Sequence, residues 1–275
     1  MESTEDLSRK STNGQAADPI LEATGLRIGY PGAKPPLSLC GELNFGPPSG
    51  LLAAVVGING VGKSTLLRTL GGMQPELSGE IRIGGKPAAK LPAQRRARLQ
   101  SLVLTEPPAS RNLTVTELVA LGRHPYTNWI GQHTGEDREC IEKALQRMEL
   151  GNLRERPCHT LSDGQLQRVQ IARALAQDTP LILLDEPTTH LDLYHKVQIL
   201  KGLRAIAHDT GKTVLFTTHE IDLAIQLCDR ILILHRDRSV FGDPCQLIEQ
   251  GAFEKLFPEE TVRFDRESGA FRIAK

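Results

Sequence analysis

The fold of this chain is decided by one stretch, Gly57-Ile58-Asn59-Gly60-Val61-Gly62-Lys63-Ser64-Thr65, which has the pattern G-x-x-x-x-G-K-S/T with an extra glycine. The apolar run 51–56 comes directly before it and is typical of a buried strand. The stretch therefore predicts a strand, a phosphate-binding loop and a helix, in that order. Glycines let backbone N–H groups converge on phosphate oxygens, and the positive end of the helix adds to the attraction.

Individual side chains of this loop have distinct expected roles. Lys63 is placed to reach the β- and γ-phosphates of a nucleotide, and the Ser64 hydroxyl to ligate Mg²⁺. We expect the loop to hold the nucleotide through Gly57, Asn59, Gly60, Gly62, Lys63, Ser64 and Thr65.

A second motif consists of four apolar residues, Leu181–Leu184, followed by Asp185 and Glu186. It predicts a central parallel strand with acids at its carboxyl end, where ligands bind in open α/β sheets. We expect Asp185 to hold Mg²⁺, directly or through its water shell. Glu186 is placed to polarise the attacking water as a general base.

A third motif, Leu161-Ser162-Asp163-Gly164-Gln165, lies between the other two. Together the three motifs resemble the ATP-binding subunits of ABC transporters, from about Leu21 to about Asp243. The resemblance implies ATP as substrate, Mg²⁺ as cofactor and two copies facing each other head to tail.

The resemblance also implies roles for residues outside the first two motifs. Tyr30 would stack on adenine, and His219 would contact the γ-phosphate as a second catalytic residue. The third motif would cap the γ-phosphate held by the opposite subunit, through Ser162, Gly164 and Gln165. The loop 190–192, with Asp192, would cross the dimer interface.

The sequence departs from the family pattern at two positions. Asp163 stands where a glycine is usual, and we expect its side chain to point away from the nucleotide. The family glutamine that follows a strand before the T-V-x-E-L helix start is replaced here by Thr105 or Glu106. Either residue could meet Mg²⁺, and the sequence leaves the choice open.

Composition agrees with one α/β core in this chain of 275 residues, 39% of them hydrophobic. The formal net charge is zero and there is no long basic stripe, so nucleic acid is a poor partner. The five cysteines lack metal-binding spacing, which suits a reducing cytosol. No apolar run is long enough to span a membrane, and the polar start at 1–17 does not resemble a secretory signal.

The predicted fold is α/β: a P-loop NTPase core with a parallel sheet, a small antiparallel β subdomain and a helical insert subdomain. We expect a disordered tail at 1–18, an ABC ATPase domain at 19–258 and a hairpin extension at 259–275, with the helical insert at about 107–165. The antiparallel sheet is predicted from Leu21–Tyr30, Leu37–Phe45 and Glu80–Ile83.

The insert contains Leu121-Gly122-Arg123-His124-Pro125-Tyr126, which resembles a segment of ATPases that serve importers of ferric siderophores, haem and cobalamin. This resemblance implies permease subunits as partners, a substrate-binding protein acting indirectly and a peripheral place on the cytoplasmic face of the membrane. Trp129 is either an exposed anchor for the permease or part of the insert's own small core.

Two other classes of function remain open. One is a soluble ABC-type ATPase not coupled to transport, which would usually carry two nucleotide domains or a long coiled-coil insertion. The other is a P-loop kinase, which would have no use for the third motif. Among cargoes, an iron chelate is preferred over haem, and haem over cobalamin.

Overall fold

The computed structural model describes residues 19–32, 37–106, 112–127, 131–258 and 260–274. The predicted disordered tail 1–18 and Trp129, the predicted permease anchor or core residue of the insert, lie outside the described residues. The strands are β1 (Leu21–Arg27), β2 (Gly29–Tyr30), β3 (Leu37–Ser38), β4 (Leu43–Phe45), β5 (Leu52–Val56), β6 (Ser78–Ile83), β7 (Lys86–Pro87), β8 (Gln100–Val103), β9 (Leu181–Leu184), β10 (Thr213–Thr217), β11 (Arg230–Ile233), β12 (Val240–Gly242), β13 (Val262–Asp265) and β14 (Ala270–Ile273). The α-helices are α1 (Lys63–Leu70), α2 (Ala93–Ala97), α3 (Val115–Ala120), α4 (Gly135–Arg147), α5 (Asp163–Ala176), α6 (Leu193–Thr210), α7 (Ile221–Leu227) and α8 (Pro244–Glu249).

A six-stranded sheet with the order β12-β11-β5-β10-β9-β8 forms the centre of the fold. Neighbours from β11 to β8 run parallel, and β12 runs antiparallel to β11. Every residue of β5, β9 and β10 is buried, as expected for strands covered on both faces. Because the strands are parallel, β5, β9 and β10 end at one edge, and the predicted site residues follow these ends.

The residues of β5 alternate between two hydrophobic cores. Leu52, Ala54 and Val56 belong to a core shared with α3 to α7, whereas Ala53 and Val55 belong to a core shared with α1 and the antiparallel sheet. This alternation is the two-residue period of a strand, applied to a sheet that is buried on both sides.

The antiparallel sheet has the order β4-β1-β6-β7, but two of its predicted strands, Leu21–Tyr30 and Leu37–Phe45, are wrong as single elements. β2 pairs with β3 in a separate two-stranded ribbon, and only β1 and β4 join the sheet. Between β3 and β4 the backbone bonds elsewhere, because Gly41 N–H donates to the His235 carbonyl at 3.1 Å. A side chain at Gly41 would come within 2.3 Å of the Asp237 carbonyl oxygen, so this crossing requires glycine.

The helices of the insert, α3 and α4, pack against each other and against α5. Arg123 and Asp137, both 2% exposed, form an ion pair at 2.7 Å inside it. Arg123 also donates to the carbonyl of Ala176 at 2.9 Å, and its guanidinium lies 4.0 Å from the centre of the Tyr126 ring. These contacts fix the segment after α3 to the C-terminal end of α5.

The predicted C-terminal hairpin is present as β13 and β14. Its Phe264 stacks on Phe253 with ring centres 5.1 Å apart and belongs to the core on the helical side of the main sheet. Across the described ranges, no helix combines the length and apolar character needed to cross a membrane.

Candidate active site

A pocket of about 270 Å³ lies at the carboxyl edge of the central strands. With one exception, its walls are residues that the sequence predicted for nucleotide binding or catalysis. The lining residues are Tyr30, Leu39, Asn59, Gly60, Gly62, Lys63, Ser64, Thr65, Glu186 and His219. The exception is Leu39, whose position follows from the ribbon formed by β2 and β3.

The phosphate-binding loop runs from β5 to α1, as predicted. Gly57 has φ +155° and Gly62 has φ +110°, conformations that other residues rarely adopt. A side chain at Gly57 would also come within 2.7 Å of the Leu234 carbonyl oxygen. The glycines are therefore needed to bring the loop backbone around a phosphate group.

Lys63 folds back over this loop. Its ammonium group donates to the carbonyls of Gly57 at 2.9 Å and Ile58 at 3.3 Å, and lies 3.3 Å from His219 Nδ1. Burial lowers the pKa of Lys63, and the nearby carboxylates of Glu186 and Asp185 oppose this shift. A phosphate group in the loop would add further negative charge beside this buried cation and would stabilise its charged form.

The two acids after β9 are held by a threonine of the neighbouring strand. Thr217 Oγ1 donates to Asp185 Oδ1 at 2.7 Å and accepts from the backbone N–H of Glu186 at 2.9 Å. Sequence reasoning missed Thr217. The parallel register, which pairs Phe216 with Leu184, brings this next residue beside the acids and could have identified it.

Glu186 and His219 meet across the pocket. His219 Nε2 lies 2.5 Å from Glu186 Oε1, and Thr189 Oγ1 donates to Glu186 Oε2 at 3.0 Å. Together with the Lys63 contact, this makes a continuous polar chain from the lysine through the histidine to the carboxylate. The side chains that would face a terminal phosphate are therefore connected to one another by polar contacts.

The predicted Mg²⁺ ligands suit that ion in their chemistry. Asp185 Oδ2 is buried and has no hydrogen-bond partner among the described residues, although a buried carboxylate oxygen normally has one. Ser64 lines the pocket at the start of α1. Hydroxyl and carboxylate oxygens are the ligands that Mg²⁺ prefers, usually with phosphate oxygens and water completing its shell.

The third motif starts α5 but does not line the pocket. Ser162 is the N-cap: its Oγ accepts from the Gln165 N–H at 3.3 Å, and Gln165 Oε1 accepts from the Ser162 N–H at 3.1 Å. Asp163 lies exposed in the first turn, where a negative charge favours the helix. Within the described residues the Ser162 O–H donates no hydrogen bond, so it can donate to a ligand held by another molecule, because an N-cap uses only its acceptor capacity.

The other predicted residues also lie outside the pocket. Asp192 caps α6 by accepting from the His195 N–H at 2.9 Å, and this bond together with the His195 ring lowers the pKa of Asp192. Glu106 accepts from Arg68 at 2.7 Å, and neither Glu106 nor Thr105 lines the pocket. Their role as metal ligands stays a prediction.

Residues 40–189 match a family model described as ABC transporter, which covers more than half of the 275 residues. The chain belongs to the ABC transporter family. Curated relatives in this family include the achromobactin transport ATP-binding protein of Dickeya dadantii, 36% identical over 78% of this chain and 81% of the relative. A probable siderophore transport system ATP-binding protein of Bacillus subtilis is 37% identical, over 78% of this chain and 79% of the relative.

Solved ABC structures agree with the fold. A chain from an ABC transporter described as of metal-chelate type, in an inward-facing conformation, matches with a TM-score of 0.75 and 28% identity over 94% of this chain and 96% of that one. A dimeric ATP-binding cassette in a post-hydrolysis state, bound to ADP and Pi, matches with a TM-score of 0.69 and 28% identity over 80% and 97%.

These similarities confirm the predicted ABC fold and the predicted class, an ATP-binding subunit with ATPase activity. The structure adds contacts within the ABC site that the motifs alone did not reveal. Lys63 lies against His219, Thr217 donates to Asp185, and Thr189 donates to Glu186.

Proposed function

We propose that the chain is the ATP-hydrolysing subunit of an ABC importer that takes up an iron chelate of the siderophore type. The relatives named for achromobactin and siderophore transport support this cargo. A cobalamin import ATP-binding protein of Halobacterium salinarum is 34% identical over 88% of this chain and 58% of the relative, so cobalamin is the second candidate. Haem belongs to the same importer group and is the third.

One observation carries the mechanism: Lys63, His219 and Glu186 converge on the pocket, whereas the start of α5 is absent from its lining. A site complete on one side only is expected if a second copy supplies the other side. In the proposed sandwich, each copy holds ATP in its own loop and covers it with the partner copy's α5 start. The free Ser162 hydroxyl and the backbone around Gly164 would then cap the γ-phosphate.

The chemistry assigned to this chain is positioning, proton transfer and charge stabilisation. Glu186 accepts a proton from the attacking water as general base. Lys63 and the loop N–H groups stabilise negative charge on the phosphates, and His219 holds the γ-phosphate in place. Tyr30, 50% exposed at the edge of the pocket, would stack on adenine.

We propose that Ser64 and Asp185 hold the Mg²⁺ ion. The ion would neutralise phosphate charge when bound. Thr217 fixes one oxygen of Asp185 through its 2.7 Å hydrogen bond and so leaves the other oxygen for the ion or its water shell.

We propose that permease subunits bind the face that contains a cavity of about 1010 Å³. It lies between the end of α1, the antiparallel sheet, α2 and β8, beside the segment that Arg123 fixes to α5. The chain would thus lie on the cytoplasmic face of the membrane as one of two identical subunits, with a substrate-binding protein acting on the permease from the other side.

The proposed function can be tested by uptake and turnover together. In the organism that encodes the chain, deletion should abolish uptake of one labelled ferric siderophore, haem or cobalamin. The wild-type chain should restore uptake, and Glu186→Gln should not. Purified Glu186→Gln should bind ATP and dimerise without turnover, because the amide keeps the shape but cannot take a proton.

Several outcomes would contradict parts of this proposal. Unchanged uptake of every cargo, with normal ATPase activity of the purified chain, would favour a soluble ABC-type ATPase. Wild-type turnover by Glu186→Gln would reject the general base. A Glu186→Gln chain that binds ATP but stays monomeric would reject the two-copy sandwich.

A further inference from the structure

Lys196 and Glu220 form an ion pair between two segments that are distant in sequence. Lys196 lies in the first turn of α6, and Glu220 directly follows His219 at the start of α7. The Lys196 side chain is only 19% exposed and that of Glu220 is 41% exposed. The pair is thus better shielded than an ordinary surface pair, whose contribution is usually small.

The segment that contains Glu220 and His219 makes another contact at the pocket, with the stretch 186–189 that precedes α6. There His219 lies 2.5 Å from Glu186, and Glu186 accepts a hydrogen bond from Thr189. From Thr189 the polypeptide continues to Asp192, whose backbone carbonyl accepts a hydrogen bond from the Lys196 N–H at 3.0 Å. The two contacts close a ring that runs from His219 through Glu186 and the loop 189–192 to Lys196, and through Glu220 back to His219.

This ring connects the pocket to the loop that precedes α6. His219 is its only member in direct contact with Lys63 Nζ among the hydrogen bonds of the described residues. A terminal phosphate bound at Lys63 would accept a hydrogen bond from His219 in place of Glu186 and would repel the Glu186 carboxylate, and so would weaken the contact between His219 and Glu186. When that side of the ring opens, the Lys196–Glu220 ion pair still joins the start of α6, and with it the loop 189–192, to the histidine segment.

We propose that Lys196 and Glu220 are positioning residues that make the loop 189–192 follow the nucleotide state of the pocket. The idea rests on the proposed function, in which this loop faces a second copy, so that each site reports its state to the other. Neither residue touches the nucleotide in this scheme. Both act by holding His219 and the loop at a fixed spacing.

The test compares Lys196→Met and Glu220→Gln with the charge-swapped double variant Lys196→Glu/Glu220→Lys. Lys143→Met is the control, because it removes the exposed pair with Glu139 on α4, away from the pocket. Hydrogen exchange of residues 189–196 and 218–221 is measured with and without Mg-ATP. ATP affinity and kcat are measured in parallel on the full-length chain.

In the wild type and in Lys143→Met, ATP should slow exchange in both segments. In the two single variants, ATP should still slow exchange at 218–221 but no longer at 189–196. ATP affinity should stay unchanged while kcat falls about fivefold, the lower end of typical coupling between sites. The charge-swapped chain should regain the response at 189–196.

The proposal is overturned if 189–196 responds to ATP in the single variants as in the wild type, or does not respond in the wild type. It is also overturned if the charge swap does not restore a lost response. Dimerisation of Glu186→Gln tests the two-copy sandwich separately. If Glu186→Gln does not dimerise, the loop 189–192 has no partner copy to report to. The hydrogen-exchange measurement still decides whether Lys196 and Glu220 couple this loop to the pocket within one chain.

Discussion

Glu186 has a backbone φ of +48°, in the left-handed region that residues with a side chain rarely adopt. Such conformations cost on the order of 1 kcal/mol and persist where surrounding contacts enforce them. Here the enforcing contacts are the bond from the Glu186 N–H to Thr217 and the contacts of its carboxylate with His219 and Thr189. The protein therefore gives up some stability to aim this carboxylate into the pocket.

Because of this strain, we expect glycine to be more stable than alanine at position 186, the reverse of their usual order in a helix. Glu186→Gly should be about 1 kcal/mol more stable than Glu186→Ala, because glycine adopts positive φ without steric cost. Both variants should lack ATPase activity, and urea unfolding measures the difference. The control is Lys201, exposed on α6, where Lys201→Gly should instead be less stable than Lys201→Ala by about 1 kcal/mol. Equal stability of the two variants at 186 would show that the backbone there is not strained.

For single residues, the sequence predicted which side chains form the site better than it predicted the contacts between them. The phosphate-loop and acidic motifs predicted Lys63 and Glu186, and the family resemblance implied His219. The sequence did not predict that the lysine and the histidine touch, since their separation of 156 positions is bridged only by the sheet. For the same reason it could not choose between Thr105 and Glu106, whose surroundings depend on α1 through Arg68.

Among the elements, α5 links the third motif to the insert. Its first turn carries the third motif, and its C-terminal end accepts a hydrogen bond from the buried Arg123. A helix is rigid along its axis, so a shift of the insert would move both ends together. The Arg123–Asp137 pair is the anchor of this arrangement.

We expect the stability of Asp137→Asn, measured at several pH values, to show that the charge of Asp137 anchors this segment. Burial acts to raise the pKa of Asp137, but hydrogen bonds from Thr134 and Arg123 outweigh it and lower the pKa from 3.8 to about 2. Because the folded pKa is depressed, the stabilisation is complete above pH 4 and is lost as the pH falls toward 2. At pH 7 the variant should lose about 3 kcal/mol of unfolding free energy, since it leaves Arg123 buried without a counter-charge.

Urea unfolding at several pH values measures this loss, which should shrink only below about pH 4. Glu139→Gln, which breaks an exposed pair on the same helix, is the control and should change stability little at any pH. A loss for Asp137→Asn that is the same at pH 3 and pH 7 would mean that packing, not charge, holds the segment.

Elements with strong local signals were predicted well. The strand predicted at Leu181–Leu184 has the same bounds in the structure, and the strand, loop and helix predicted around the phosphate-binding loop occur in that order. The strand predicted at 37–45 was wrong, because its centre bonds to the backbone near His235, a contact that local pattern does not contain. The short helix α8 was missed, although Asp243 at its N-cap and Pro244 at its first position are typical start signals.

On the scale of the whole molecule, the C-terminal hairpin shares a core with the ATPase domain. Phe264 and Phe271 lie with ring centres 5.0 Å apart, and Phe264 stacks on Phe253 of the preceding segment. The same core contains Phe216 of the central strand β10. The division at 258/259 predicted from the sequence therefore crosses a packed aromatic cluster, which favours one cooperative unit over a separate extension.

We therefore expect Phe264→Ala to destabilise the entire chain and not only the hairpin. Phe264 is 9% exposed, so truncation removes a buried ring and should cost about 3 kcal/mol. Calorimetry should show a single transition at lower temperature, and ATPase activity measured below that transition should persist because the ring lies outside the pocket. Ile273→Ala is the control on the same hairpin: its side chain is 84% exposed, and the melting temperature should stay close to that of the wild type. A separate low-temperature transition in Phe264→Ala, with the main transition unmoved, would show that residues 259–275 fold as an independent extension.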